Sequence, residues 1–407
     1  MSDEMIEYHR LGNGLRVVAR RVAMPVEHCG VAVNAGSRDE AAGLHGLAHF
    51  VEHTIFKGTS SHRAAYVRDR MELVGGELNA YTTKEETVVY STFPAGNLAR
   101  AMALLGEMVA DAVFPEAEIG REKQVVAEEI DTYLDTPSDA VFDDFEDLIY
   151  AGSPLAHNIL GTRETLAGFD QGVCRRWLEE RFTPGRMVLF YSGPMEAERV
   201  FRMAERRFGG LCRADVALER EVPRTVGRFE VVNDKVGSYQ AHTLLGARVP
   251  GLLDERRTAL ALLVNVLGGP GMNSLLNVAL RERRGLVYTT DASTSLMSDN
   301  GLLTIYFGCD PADVRRCLRV VGGVVDALAG GLMSERRLEA AKRQLIGQLT
   351  VGSMNSEQVA ISMGRSVLYR GRAVGFDETV EALRAVSAAD LREAAAPLAS
   401  LSRLTLV

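Results

Sequence analysis

The 407-residue sequence predicts an α+β fold: two structurally similar domains of mixed sheet packed with helices, joined by a linker. Three observations carry this reading. Short apolar or alternating stretches at 15–19, 30–34 and 87–92 have strand length and pattern. Between them, 64–74 and 99–112 repeat apolar residues at helical spacing. The same order of elements then recurs in the second half of the chain, and repetition of that kind decides architecture before any single element does.

Taken in order, two strands (15–19 and 30–34) precede a helix through 43–53, for which Gly58 supplies the stop. A second helix covers 64–74. Leu78-Asn79-Ala80-Tyr81-Thr82-Thr83 leads through a strand to Thr92, a helix follows from Asn97, and Phe114-Pro115-Glu116 opens a long helix to Tyr133, with proline where a first turn tolerates it. In the second half, Leu286-Val287-Tyr288-Thr289-Thr290 is followed by a strand at 302–307, a helix from Pro311, and Met333-Ser334-Glu335 opening a helix to Leu349. Tyr81 and Tyr288 are 207 positions apart, whereas Pro115 and Ser334 are 219 apart, so the second half carries extra residues between the matched elements. A duplication accounts for this pattern. The charged stretch 213–228, with Pro223, reads as the linker between a first domain at 1–212 and a second at 229–407.

Composition narrows the function. Hydrophobic residues at 46% and charged residues at 25% exclude a disordered or collagen-like chain. A net charge of −8 argues against a nucleic-acid partner. Five cysteines without a CxxC cannot all pair, which suits a reducing compartment and thiols that are buried or inert. Residues 1–20 are polar and broken by Gly12 and Gly14, unlike a targeting segment. The longest apolar runs, 259–267 and 320–328, contain Asn265 and Asp326 and fall short of the roughly 20 residues of a membrane helix. The expectation is a cytoplasmic protein with no membrane partner.

The chemistry lies in the first half. His49 and His53 stand at i and i+4 on the helix through 43–53, with Leu47, Phe50, Val51 and Ile55 packing inward. That spacing puts two imidazoles on one face, near enough to share a tetrahedral metal, with Glu52 beside them to take a proton from water bound there. This is the inverted H-x-x-E-H order. A catalytic zinc needs a third protein ligand, and the helix 116–133 offers Glu118, Glu122, Glu128 and Glu129. Glu122 and Glu129 share a face to within about 20°, Glu118 lies about 40° from Glu122, and Glu128 points elsewhere. Ile119, Val126 and Ile130 form the core-facing stripe, which leaves the Glu118, Glu122, Glu129 face free to turn toward the histidines.

The run His49-Phe50-Val51-Glu52-His53-Thr54-Ile55-Phe56-Lys57-Gly58-Thr59, with Gly75-Gly76-Glu77-Leu78-Asn79-Ala80-Tyr81-Thr82 and Arg121-Glu122-Lys123-Gln124-Val125-Val126-Ala127-Glu128-Glu129-Ile130, resembles the pitrilysin and insulinase family of metallopeptidases. The likeness is greatest to the branch of mitochondrial processing peptidase β subunits and their bacterial counterparts. It extends over 154–162 and 267–288, hence over most of the chain. In that family 75 residues separate the second histidine from the third ligand, the interval between His53 and Glu129. The resemblance therefore implies one zinc per chain on His49, His53 and Glu129. It places Glu122 on the family's second glutamate, which supports the ligands, and leaves His45 as a packing or supporting histidine.

The second half contains no HxxEH, and the 219 spacing aligns Glu122 and Glu129 with Ala341 and Gln348, so no metal is expected there. The glycines of 268–273 lack a Gly-Lys-Ser/Thr and read as a loop. Arg281 and Tyr288 match the family's pair of substrate-contacting residues. The resemblance thus implies a zinc endopeptidase in which Glu52 activates water, while Arg281 and Tyr288 stabilise the oxyanion. It also implies an enclosed chamber and an edge strand, Asn79, Ala80, Tyr81 and Thr82, that takes up extended peptides. The acids Glu77, Glu85 and Glu86 suggest basic substrates. A catalytically silent scaffold, or a subunit dependent on a related partner in a heterodimer, is the alternative. The presence of both the zinc residues and the Arg281/Tyr288 pair in one chain favours a homodimer.

Overall fold

The computed structural model describes residues 5–407, apart from 215, 216, 218, 235, 236 and 332. In chain order, β1 (Met5–Arg10), β2 (Arg16–Arg21) and β3 (Val26–Val33) precede α1 (Leu47–Thr54) and α2 (Ala64–Glu72). Next come β4 (Glu77–Thr82), β5 (Thr87–Pro94), α3 (Leu98–Asp111), α4 (Glu116–Leu134), α5 (Pro137–Ile149), α6 (Arg163–Ala167), α7 (Gln171–Arg181), β6 (Met187–Gly193) and α8 (Ala197–Phe208). The second half holds β7 (Glu230–Asn233), β8 (Ala241–Val249), α9 (Arg257–Gly268), a π-helical turn at Asn277–Glu282, β9 (Val287–Leu296) and β10 (Gly301–Cys309). It ends with α10 (Val314–Ala329), α11 (Glu335–Gly352), α12 (Ser356–Arg370), α13 (Phe376–Ala385), α14 (Ala388–Ala394) and β11 (Ser402–Leu406).

Each half builds its own mixed sheet. The first runs β1-β2-β6-β3-β5-β4 and the second β7-β11-β8-β10-β9. Both contain one parallel pair, β2 with β6 and β11 with β7, among antiparallel neighbours. The series β3-α1-α2-β4-β5-α3-α4 is repeated as β8-α9-π-turn-β9-β10-α10-α11, so the element order expected of a duplication is present. The expected helix and strand positions hold to within a few residues. The helix expected from 43 is shorter, starting only at Leu47, because Gly43 and Gly46 take left-handed φ values of 83° and 94° that a helix does not allow.

The compact units do not follow a single cut in the chain. One comprises 1–130, 157–221 and 353–374; the other comprises 131–156, 222–352 and 375–407. Residues 131–156 include α5, and residues 353–374 include α12. These two helices explain the pattern. In the first unit, one sheet face packs Val31, Leu189 and Tyr191 against α1, α3, α4 and α8, while the other face packs Val18, Val188 and Phe190 against Ile361, Val367 and Leu368 of α12. In the second unit, Leu244, Tyr306 and Leu404 on one face receive Val141, Phe145 and Ile149 of α5. The opposite face packs on α9, α10 and α11. Glycines let the covering helices come close. A Cβ on Gly364 of α12 would lie 2.5 Å from Phe190, and one on Gly246 of β8 would lie 2.7 Å from Phe145.

The stretch expected as a linker, with Asp215, Val216 and Leu218 outside the described residues, is mostly exposed but anchored at two arginines. Arg213 donates to the carbonyls of Val109, Ala110, Leu178 and Phe182, and Arg220 pairs with Asp39 at 2.7 Å. The five cysteines are free, four of them buried and Cys212 exposed. Among the described residues no helix is long and apolar enough to cross a membrane.

Phe145 fills the gap above Gly246 and is fully buried. Phe145→Ala should therefore cost about 3–5 kcal/mol of stability in the second unit, read from denaturant unfolding. A loss below about 1 kcal/mol would show that α5 does not seal that sheet.

Candidate metal centre

Helix α1 buries Leu47, Phe50 and Val51 and turns His49, Glu52 and His53 along its other side. The rings of His49 and His53, one turn apart, have centroids 4.6 Å from each other. Helix α4 buries Ile119, Val126 and Ile130 in the same core, which fixes its rotation and brings Glu122 and Glu129 to the histidines. Glu129 Oε1 lies 3.7 Å from His49 Nε2, and Glu129 Oε2 lies 3.5 Å from His53 Nε2. The three donor atoms fall within 4.8 Å of one another, and His49, His53 and Glu129 are the one such group of His, Cys, Asp or Glu among the described residues. Of the other helix acids, Glu118 pairs with Arg121 at 2.6 Å and Glu128 is exposed outside the group.

The donor set suits zinc. Two imidazole nitrogens and a carboxylate oxygen are the ligands of many catalytic zinc sites, and separations of 3.5 and 3.7 Å approach the roughly 3.4 Å between donors placed tetrahedrally about zinc. Burial, with His53 close by, pushes His49 down to about 3, so its imidazole is neutral and keeps a lone pair at neutral pH. Glu122 holds the His53 ring from behind, its Oε2 3.3 Å from His53 Nδ1. Its Oε1 meets Lys57 Nζ at 2.6 Å. A carboxylate behind a ligating histidine fixes the ring's tautomer and direction, and Lys57 fixes that carboxylate in turn. His45 stands apart from this group and stacks on His157, with centroids 3.9 Å apart and planes at 6°.

Glu52 faces β4. Burial raises its carboxyl, and Thr82, His53 and the charge of Glu129 modify that shift, Thr82 pulling it down most. The Thr82 hydroxyl is buried and has no well-formed hydrogen bond among the described residues. β4 is an edge strand, bonded only to β5. Its alternation sends Leu78 and Ala80 to the α1 side of the sheet, while Tyr81 joins the α12 side beside Tyr90. Of the four residues expected to bind substrate, Ala80 and Tyr81 are thus packed on opposite faces, and the open feature of the strand is its backbone edge. Glu85 and Glu86, expected to attract basic peptides, are themselves buried and ion-paired, Glu85 with buried Arg38 at 2.5 Å and Arg220 at 3.4 Å, and Glu86 with the partly exposed Arg365. Only Glu77 of the three is exposed.

Arg281 and Tyr288 belong to the second unit. Arg281 is exposed on the π-helical turn, and Tyr288 is 69% exposed on the edge strand β9. Sequence reasoning gave Lys57 no role and expected Thr82 on the substrate strand, not beside Glu52. Lys57 is signalled by its place four residues beyond His53. Thr82 has the same strand parity as Leu78 and Ala80.

The low His49 value sets a pH dependence for the metal-free protein. Unfolded chains bind a proton at this residue below about 6.5, whereas the folded chain does not until about 3, so folding stability falls as the pH drops through that window. Its share of the slope is up to about 1.4 kcal/mol per pH unit. Urea unfolding of the metal-free protein between pH 7 and 5 should show a steeper loss for the wild type than for His49→Gln. Equal slopes would mean that His49 is not held neutral by burial.

Comparison with known proteins gives the family and the fold. Residues 16–163 match the family model described as Insulinase (Peptidase family M16), and residues 171–345 match the Peptidase M16 inactive domain. The chain is 32% identical over 381 residues to an uncharacterized zinc protease of Mycobacterium leprae, covering 93% of this chain and 85% of that one. It is also 32% identical to the uncharacterized zinc protease YmxG of Bacillus subtilis, covering 94% and 93%. Among solved structures, a protease from Helicobacter pylori superposes with a TM-score of 0.91 at 21% identity over 99% of both chains. A structure from Pseudomonas fluorescens, titled as a peptidase M16 inactive domain, superposes at 0.92 and 16% identity, covering 99% of this chain and 97% of that one, and like the first it speaks for the fold. The chain belongs to the insulinase family of peptidases, family M16.

Proposed function

We propose that the protein is a zinc-dependent endopeptidase that cleaves extended, unstructured peptides inside an enclosed chamber, with one zinc per chain. The observation that carries this reading is the convergence of His49, His53 and Glu129 within 4.8 Å, with Glu52 on the same short helix, facing an edge strand.

His49 Nε2, His53 Nε2 and a Glu129 carboxylate oxygen would hold the ion. Bound there, zinc supplies Lewis acidity to the scissile carbonyl and makes water more acidic. Glu52 takes a proton from the attacking water on its carboxylate and returns it to the departing amide nitrogen. Burial that raises its carboxyl suits a group that must first accept and then release that proton. Glu122, anchored by Lys57, keeps the His53 ring directed inward. The free edge of β4 offers N–H and C=O groups to a substrate strand, a mode that demands extended chains. The Tyr288 hydroxyl and Arg281 guanidinium serve as donors to the oxyanion, which their exposure supports. A preference for basic peptides now leans on Glu77 and the net charge of −8 alone. Possession of both the zinc residues and the Arg281/Tyr288 pair supports self-association as a homodimer, in the cytoplasm.

Glu52→Gln should abolish peptide turnover while leaving zinc content unchanged, because the residue moves a proton and does not ligate. Glu129→Gln should lower zinc content and activity together, and Glu128→Gln should leave both near wild type. Metal analysis alongside a quenched-peptide assay reads all three. Wild-type turnover by Glu52→Gln would refute the mechanism. Cleavage of stably folded domains at the rate of short peptides would refute strand addition.

A further inference from the structure

Helix α1 has eight residues, and its N-cap is Gly46, at φ 94°, which offers no side chain to the first-turn N–H groups. Those groups find an acceptor elsewhere. Glu40 Oε2 accepts from Gly46 N at 2.9 Å, and Oε1 accepts from Ala48 N at 2.7 Å. His157 Nε2 lies 3.0 Å from Oε2, and the Glu40 side chain is 0% exposed, a burial that raises the carboxyl to about 8 against the pull of the two amides. Glu40 is itself held in place. It follows the turn Ser37–Asp39, whose Asp39 takes Gly36 N at 3.0 Å and the Arg220 guanidinium at 2.9 and 2.7 Å. On the other side, His157 lies flat on His45, and Thr165 Oγ1 donates to the His45 carbonyl at 2.7 Å.

The Ala48 N–H lies one residue before His49. Anchoring it fixes the start of the helix at the point where the first ligand leaves the backbone. Metal sites need their donors within about 0.2 Å of the required distances, and the first-turn N–H groups of a helix need an acceptor, which Gly46 does not supply here. We infer that Glu40 is a positioning residue for the metal centre, capping α1 from outside the helix and so setting where His49 stands relative to His53 and Glu129, with His157 fixing the Glu40 carboxylate. The inference rests on the zinc reading given above.

Glu40→Gln is the direct test, because an amide replaces one buried acceptor with a donor that faces an N–H. Thr165→Val is the matched control. It removes a bond to the same turn, at the His45 carbonyl, without touching the α1 amides. Zinc affinity is measured on the full chain by competition with a chromophoric chelator, and cobalt(II) loading gives the visible spectrum of the site. Melting of the metal-free protein reports fold. Glu40→Gln should bind zinc at least about tenfold more weakly and show an altered cobalt spectrum. Thr165→Val should stay within about twofold of wild type in affinity even where it melts earlier. Should Glu40→Gln fail to fold, His157→Phe decides: it keeps a ring on His45, removes the ring hydrogen-bond partner of Oε2, and should weaken zinc several-fold. Affinity of Glu40→Gln, or of the deciding His157→Phe, within twofold of wild type overturns the inference, as does a loss that tracks melting temperature equally in the tested variant and in Thr165→Val. Failure of the wild type to bind zinc would instead overturn the reading on which it rests.

Discussion

Two imidazoles one turn apart can share a metal only while the helix that carries them is held still, and eight residues are too few to hold themselves. The surroundings of α1 answer to that constraint. Leu47, Phe50 and Val51 are anchored in the core of the first unit, Thr54 returns its hydroxyl to the Phe50 carbonyl at 2.7 Å, and Glu40 takes the first amides. Helix α4 shares the same core through Ile119, Val126 and Ile130, so the rotation that buries those residues is the rotation that aims Glu122 and Glu129. Packing and ligation are therefore one geometric problem. A shift in the apolar stripe of either helix would part the carboxylate from the rings.

The second unit shows what the architecture is without that chemistry. Its sheet, its π-turn in place of α2, and helices α9, α10 and α11 repeat the order of the first. The positions matched to Glu122 and Glu129 are Ala341 and Gln348, and α9 carries no histidine. Next to Ala341, buried Lys342 bonds Glu339 and the Arg384 carbonyl. The unit's match to a domain described as inactive accords with that loss.

Much of this was legible in the sequence because short-range spacing and helical periodicity are local properties. The i, i+4 histidines and the shared face of Glu122 and Glu129 needed only the helix repeat, while choosing among the glutamates needed the family resemblance. The duplicated order of elements was readable for the same reason as the helix face. What stayed hidden depends on contacts far apart in sequence. Nothing local to α5 or α12 says that Phe145 will sit on Gly246 or Gly364 on Phe190, so the two helices that cover the back faces of the sheets went unassigned. Glu40 and His157, 117 positions apart, are likewise joined only by the fold. Glu85 and Glu86 looked like solvent-facing acids until Arg38, Arg220 and Arg365 came in from elsewhere to bury them.

The central claim is that His49, His53 and Glu129 hold a single zinc ion in the folded chain. X-ray absorption at the zinc edge of the purified full-length protein, with total metal determined on the same sample, tests it most directly. The account predicts one zinc per chain in a shell of nitrogen and oxygen donors at about 2.0–2.2 Å, with the scattering signature of two imidazoles. A sulfur shell near about 2.3 Å, which would point to cysteine ligands, or a protein that holds no zinc at all, would contradict it.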